Sequence, residues 1–572
     1  MAHSTPEGDS NPNRNYSRGA RAGLELDSLT KKRRLQIRTK QRGGRGAGQK
    51  RDRGRENRQE ETRQRDQQRR LRQAQAQARG GSIASRPKRK GSPCQLDDDS
   101  QGADLEIHSG PSLPEDMWHH IHSLMPMRDA ARAACVSRSF LHSWRCHPNL
   151  SFSKNTLGLN KNACQEDKSA RVFYIKVDHI LRKHLGGVKK LKIQIDSDYS
   201  AKDSCYLNNW LQTAVTPGIE ELTLILIPHD AKYNFPCSIL SNGSGDSIQH
   251  LHLGNCSFHP TVTFGGLRCL TRLHLCYVCI TGDELGFLLS HSLALERLEL
   301  KCCNKIVRLK VPHLLQRLSY LVVTGCIKLK LIDNEAPNVS SFAFGGENTI
   351  HLSLGETSQI KSLSMNRPGS VFYARAELPS SMPNLEALTI YSQEEMAHAP
   401  MLRSKFIHLR HLSMVLTGAL LYPIFDYLSL ASFLDAAPSL ETFDLDLWQR
   451  YMENASVFAD PADLRQMREL QHHNLRSLRI TGFSSVKSLV ELTCNILESI
   501  TSLEHLTLES TQSVLRCSDR DNKSGKCFPL DSDVLTEGYR GVLAIRRYIE
   551  PRVPSTVKLQ VLEPCSCHAA VL

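Results

Sequence analysis

One pattern of apolar and polar positions recurs from residue 188 onward: L-x-x-L-x-L, with conservative replacements. It reads VKKLKI (188–193), IEELTL (219–224), IQHLHL (248–253), LTRLHL (270–275), LERLEL (295–300), LSYLVV (318–323) and VSSFAF (339–344). It continues as IKSLSM (360–365), LEALTI (385–390), LRHLSM (409–414), LETFDL (440–445), LRSLRI (475–480) and LEHLTL (503–508). Equivalent leucines 251, 273 and 298 stand 22 and 25 residues apart, and Phe342 and Leu363 stand 21 apart; from Phe443 to Leu478 the interval widens to 35. Alternation with period two predicts a short strand, leucines on one side and the intervening residues on the other. Such a unit hides its apolar side only by stacking on its neighbours, which predicts a solenoid.

Helical segments are predicted between strands, at Gly282–His291, Tyr427–Ala436 and Val486–Ser499. A strand and a helix per unit give an α/β horseshoe with parallel strands on its concave side. Periods of about 20–29 residues are those of leucine-rich repeats, here spanning 188–512. Cys256, Cys303 and Cys326 fall just past their strands, where such a side chain satisfies turn backbone from inside. Cys302 beside Cys303 is misplaced for zinc, since one of the two must face out. From about Asp531 the pattern lapses. A helix at Tyr539–Ile549 and a strand at Thr556–Leu562 are expected to cap the solenoid within a region 513–572. Cys565, Cys567 and His568 crowd three ligand types into four residues without a distant partner motif, so no metal centre is expected there.

Ahead of the repeats, after a linker at 151–187, a different period appears in PSLPEDMWHHIHSLMPMRDAARAACVSRSFLHSWRCHPNL (111–150). Ser112 and Glu115 are spaced to cap a helix, with Pro114 tolerated in its first turn. Met117, Ile121 and Leu124 share one face of that helix, and Pro126 ends it. A second helix is predicted at Arg128–Cys135 and a third at Val136–Trp144, which carries Val136, Phe140 and Trp144 on one side. Three helices in fewer than ~40 residues cannot bury these faces against one another, so another protein is expected to cover part of them.

The same residues resemble an F-box, the adaptor-docking module of SCF-type ubiquitin ligases: a Leu-Pro start, an Ile-x-x-x-Leu-x-Pro run present here in shortened form as Ile121-His122-Ser123-Leu124-Met125-Pro126, and Val-Ser-Arg-x-aromatic. Phe140 occupies the position where Trp is usual, and Trp144 follows one turn later. The resemblance implies a Skp-family adaptor as partner, and through it cullin and RING subunits. It implies that Leu113, Pro114, Ile121, Leu124, Pro126, Val136, Phe140 and Trp144 face or shape that contact. From Pro111 onward the chain is similar to plant F-box/leucine-rich-repeat proteins, including relatives whose C-terminal FBD-like region corresponds to LRSLRITGF and the stretch through LEHLTLES.

Charge changes the picture at one end only. Of 73 Lys and Arg and 59 Asp and Glu, the first 100 residues hold 26 and 12. Their excess of 14 equals that of the whole chain, so the remainder is neutral. The tail, 1–108, is Arg/Gln/Gly-rich and too poor in apolar residues to offset the entropy of ordering it, so disorder is expected. Lys31, Lys32, Arg33 and Arg34, and then Arg86, Lys88, Arg89 and Lys90, are spaced as nuclear-import signals. An Arg-rich arm also attracts nucleic acid, the competing partner, but Tyr16 is the one aromatic residue before Trp118 for stacking on bases. The polar start MAHSTPEGDS and the shortness of the longest apolar run, Leu222 to Ile227, predict neither secretion nor a membrane span. Residence in nucleus and cytoplasm, with reduced thiols, is the expectation.

No phosphate loop, G-x-S-x-G or H-E-x-x-H occurs, and His119, His120 and His122 are expected on the solvent side or rim of the first helix. The chain is therefore read as a non-catalytic binding subunit without a cofactor. Its repeats would hold a target protein on the residues alternating with the leucines: His250, His252, Arg272, His274, Arg297, Glu299 and Lys301. Stacked across strands, these predict a basic stripe suited to an acidic or phosphorylated segment.

Overall fold

The computed structural model describes residues 113–564, apart from 160–165, 197–202, 228–232, 242, 262–265, 347–349, 356–358, 394, 396–398, 400–402, 418–424, 449–454, 460–462, 468–471 and 512–531. The basic clusters at 31–34 and 86–90, Ser112 and the 565–568 motif lie outside them.

A fifteen-stranded, all-parallel sheet runs through the described chain. Each of the thirteen sequence copies supplies a strand, from Lys190–Ile195 to His505–Glu509. Register follows the pattern: Leu251 pairs with Leu273, Leu273 with Leu298, Phe342 with Leu363, and Phe443 with Leu478. These columns of inward residues are almost wholly buried and form one continuous core.

Both ends of the sheet extend beyond the repeats. Asn149–Phe152 is its first strand, burying Leu150 and Phe152, and Lys558–Leu562 is its last, beside His505–Glu509. The expected strand near the C-terminus thus continues the sheet. The helix before it starts earlier than expected, at Ser532–Ala544, and runs on as a wider turn through Ile549. The segment read as a linker, 151–187, is not irregular. It contains the helix Glu166–Lys183, which buries Phe173, Val177 and Leu181 at four-residue spacing, and Tyr174 stacks on Trp210 at 5.5 Å.

The layer behind the sheet is mixed, not helical throughout. Gly282–Ser290, Ser370–Ser381 and Lys487–Ser499 are helices there. Three successive repeats instead place Arg308–Val311, Leu331–Asn334 and His351–Leu354 in a second, three-stranded parallel sheet. Chain length explains the switch. The returns from Cys276 to Arg297 and from Asn366 to Ala387 each have 20 residues, and they hold helices. Those from Lys301 to Tyr320, Thr324 to Ser341 and Gly345 to Ser362 have only 18, 16 and 16.

The two structures meet at Gly282, the first residue of its helix, behind a Thr281–Glu284 capping box. A Cβ on Gly282 would stand 2.3 Å from the Arg308 carbonyl oxygen, whereas one on Gly286 would meet nothing within 4 Å. The same substitution should therefore act with opposite signs in one helix. Gly282→Ala is expected to cost about 1–3 kcal/mol by overpacking, and Gly286→Ala to add about 0.8 kcal/mol through helix propensity. Urea-unfolding midpoints check this; two shifts of the same sign would contradict the packing described.

The segment before the sheet forms three helices: α1 (Glu115–Leu124), α2 (Met127–Ala133) and α3 (Arg138–Arg145). Pro114 occupies the N-cap of α1 with no side-chain cap. Ser137 caps α3, accepting from the Phe140 N–H at 3.1 Å, so Val136 precedes that helix and does not open it.

The bundle is fastened to the sheet's first edge. Nδ1 of buried His147 accepts from the Asn149 N–H (3.1 Å), which leaves its Nε2–H to donate to the Met125 carbonyl (3.2 Å). Burial lowers the His147 pKa, consistent with that neutral tautomer. Leu185 N–H donates to Arg145 O, and Met127 is buried against Ser151.

Candidate interaction surfaces

The three-helix bundle exposes apolar side chains that small globular units normally enclose. Leu113 is 42% exposed, Met117 47%, Leu124 74% and Val136 78%. Pro114 and Pro126 are also exposed, and Ile121 is half-buried. Phe140 and Trp144 differ from the expectation because they face inward. Phe140 packs 4.8 Å from Trp118 and 5.1 Å from His122, and Trp144 lies 5.8 Å from His147 against the solenoid core. Phe140 holds α3 on α1, and Trp144 holds α3 on the solenoid. His122 was expected at the rim and is instead 2% exposed, because it fills the space that Phe140 leaves between the helices. Leu141, also exposed, was missed; it is off the four-residue spacing of Val136, Phe140 and Trp144.

On the concave side the sheet gathers the predicted stripe. His250 pairs with Arg272 and Arg272 with Arg297, while His252 pairs with His274 and His274 with Glu299. Its charge is lower than the residue types imply. The His252 and His274 rings stack at 4.0 Å. Burial first, and then its neighbour His274, pushes His252 down to about 4, and burial lowers His274 as well. Both imidazoles are therefore neutral near pH 7.

Glu299 takes up much of the remaining charge. Lys301 lies 3.0 Å from it, Arg297 3.5 Å and His274 3.9 Å. Burial raises its pKa, but the Lys301 hydrogen bond and charge, with the Arg297 hydrogen bond, outweigh that and hold the carboxyl below its usual range. Arg297 also covers the Tyr320 ring at 3.8 Å, a cation–π contact. His250 and Lys190 share Glu221. Exposed Arg272 has no carboxylate within 4 Å among the described residues.

Farther along, the outward positions become small (Ser341, Ala343, Ser362, Ser364) and then acidic, with Asp444 and Asp446. Burial raises the pKa of both carboxyls. Arg479 on the next strand pairs with Asp444 and partly offsets that burial, so these carboxylates form a local acidic patch.

The turns leaving the strands follow a separate rule. Asn255, Tyr277, Cys302 and Gly325 occupy one position in four successive repeats, all with φ between 55° and 68°. Each N–H donates across to the last residue of the next strand: Cys276, Lys301, Thr324 and Gly345. The cysteine that follows three of these positions turns inward, as expected. Cys303 Sγ reaches Leu275 O at 3.5 Å, Cys326 Sγ reaches Thr324 O at 3.7 Å, and burial pushes the Cys256 thiol up to about 12. Buried, and with raised pKa values, the Cys256 and Cys303 thiols are poor nucleophiles, and all three cysteines plug their turns from inside.

Comparison with known proteins agrees with this architecture. The family described as At1g61320/AtMIF1, LRR domain, matches residues 180–566, and the F-box domain matches residues 111–151. The F-box/FBD/LRR-repeat protein At1g13570 of Arabidopsis thaliana is 23% identical over 223 residues, 39% of this chain and 50% of that protein. The putative F-box/FBD/LRR-repeat protein At4g03220 of the same plant is 25% identical over 219 residues, 36% of this chain and 41% of its own. The matching stretch thus spans half or less of these relatives. Among solved structures, an internalin from Listeria monocytogenes is 12% identical with a TM-score of 0.29, covering 59% of this chain and 88% of its own. An F-box bundle fused to a parallel-sheet solenoid, with the family match running over most of the chain, makes this protein a member of the plant F-box/leucine-rich-repeat family with the At1g61320/AtMIF1-type LRR domain.

Proposed function

We propose that the protein is the substrate-recognition subunit of an SCF-type ubiquitin ligase. The observation that carries this reading is the set of exposed apolar side chains of the F-box, on a bundle fastened to a repeat solenoid. A Skp-type adaptor would cover those side chains and link the chain to cullin and RING subunits. The solenoid would hold the target protein. Ubiquitin transfer would then proceed at the conjugating enzyme's cysteine, with this subunit contributing proximity and orientation.

The separate cationic and acidic patches on the concave face support a target segment that lies across the sheet. Its acidic groups would meet Arg272, Arg297 and Lys301, and its basic groups Asp444 and Asp446. Import into the nucleus through the basic clusters at 31–34 and 86–90 belongs to the same reading. Affinity capture of the full chain from cells with proteasome activity blocked tests it. An adaptor and a cullin recovered in near-equal amounts to the bait are the expected result. Adaptor without cullin would favour a non-degradative scaffold, and neither would overturn the proposal.

A further inference from the structure

We propose that Glu115, His119 and His142 form a surface site for a divalent cation of the zinc type, bridging α1 and α3. Glu115 and His119 lie one turn apart on α1, which puts them on the same helical face. The packing of α3 across α1 brings His142 to that face from the other helix. Glu115 Oε1 is 3.8 Å from His119 Nε2 and 3.6 Å from His142 Nε2, and the three donor atoms all lie within 4.8 Å of one another. Donors bound tetrahedrally to zinc at about 2.0–2.1 Å stand roughly 3.3 Å apart. The pairs involving Glu115 are thus within about half an ångström of a ligating arrangement with no ion present.

Two imidazoles and one carboxylate are a donor set for zinc and its neighbours in the transition series, not for magnesium or calcium, which take oxygen. Three protein donors leave a fourth position for water. The side chains are 62%, 30% and 50% exposed, so an ion can reach them and the rotamers can close on it. Glu115 directly follows Leu113 and Pro114, so a bound ion would tie the exposed start of α1 to α3. None of the three residues belongs to the exposed apolar set itself.

The competing account is a pair of ordinary ion pairs between Glu115 and protonated histidines. Acid separates the two, because ion pairs gain from imidazole protonation whereas metal binding is lost with it.

Cysteines and histidines elsewhere in the chain are also able to take up added zinc, so the readout must be local. Hydrogen exchange of the full chain, read by mass spectrometry over residues 113–145 with and without zinc chloride, provides one. At pH 7.5, zinc at ten times its Kd is expected to slow exchange in α1 and α3 about tenfold, and the effect should vanish at pH 5.5. His119→Gln and His142→Gln should each remove it. Losing even an outer-shell partner costs a zinc site about 10–100-fold in affinity, and a direct ligand should cost more. His142→Cys, which supplies another zinc ligand, should retain it. No slowing in the wild-type chain, or equal slowing in both glutamine variants, would overturn the proposal.

Discussion

Glutamate at both Leu124 and Val136 is expected to lower affinity for a Skp-type adaptor by about 30- to 10⁴-fold while leaving the melting temperature unchanged. Both side chains are about three-quarters exposed, so the free protein loses almost no packing when they change. Each would become a desolvated apolar anchor in the complex. Such anchors are typically worth about 1–3 kcal/mol, and two together give the range above. Phe140→Ala provides the contrast. It removes a ring wedged between Trp118 and His122, so it should lower the melting temperature and weaken the adaptor only through loss of the helix pair. Calorimetric titration and thermal unfolding of the same samples separate the two effects. Full affinity in the double glutamate variant would mean that the adaptor docks elsewhere.

The second large effect is expected at Arg465. Glu491, on the helix Lys487–Ser499, is fully buried. It accepts from the Arg465 backbone N–H at 3.0 Å and from Nε at 2.8 Å. The rest of the guanidinium forms two parallel bonds, 2.8 and 2.9 Å, with Asp426. Asp426 in turn caps the short helical turn Tyr427–Leu430. One arginine thus joins three separate segments, and its two carboxylates raise its pKa further. Arg465→Ala leaves the Glu491 charge buried with one backbone donor. Losing the partner of a buried ion commonly costs about 3–5 kcal/mol; the lower end applies because the outer part of Arg465 is in water. Arg465→Met with Glu491→Leu should recover most of the loss, since the penalty is the unpaired charge and not the missing bond. Denaturant midpoints of the single and double variants decide the matter, and an additive double variant would contradict this account.

The repeats were legible because burial imposes a strict period of two: every Leu or Phe column named from the pattern, such as Leu251, Leu273 and Leu298, lies in register in the sheet. The second sheet was not. Arg308–Val311 and Leu331–Asn334 are only four residues long, too short for a period to distinguish them from connecting loop. The helix Glu166–Lys183 did carry a signal in Phe173, Val177 and Leu181, but no repeat follows Asn149–Phe152 closely enough to mark where the solenoid starts. At the candidate surfaces, residue type misled where environment decides. His252 and His274 count as cations in a sequence and are neutral once stacked and half-buried. Phe140 and Trp144 read as contact residues, and only the packing of α3 on α1 and on the solenoid shows both half-buried in internal contacts. The cluster of Glu115, His119 and His142 depends on that same packing of α3 on α1, since 23 residues separate His119 from His142.

The second sheet also has a mechanical consequence. Neighbouring strands stand about 4.8 Å apart, and packed helices about 8–10 Å. Where helices back the concave sheet, the outer layer needs more room per repeat than the inner one, and the solenoid is forced to bend. Between Arg308 and Leu354 both layers are hydrogen-bonded at the same pitch, so neither can lengthen relative to the other. That stretch should resist relative sliding of its two layers more than the helix-backed repeats do. Adjustment around a bound protein is therefore expected mainly in the repeats on either side, so the cations Arg272 to Lys301 and the carboxylates Asp444 and Asp446 would shift independently about a stiff centre.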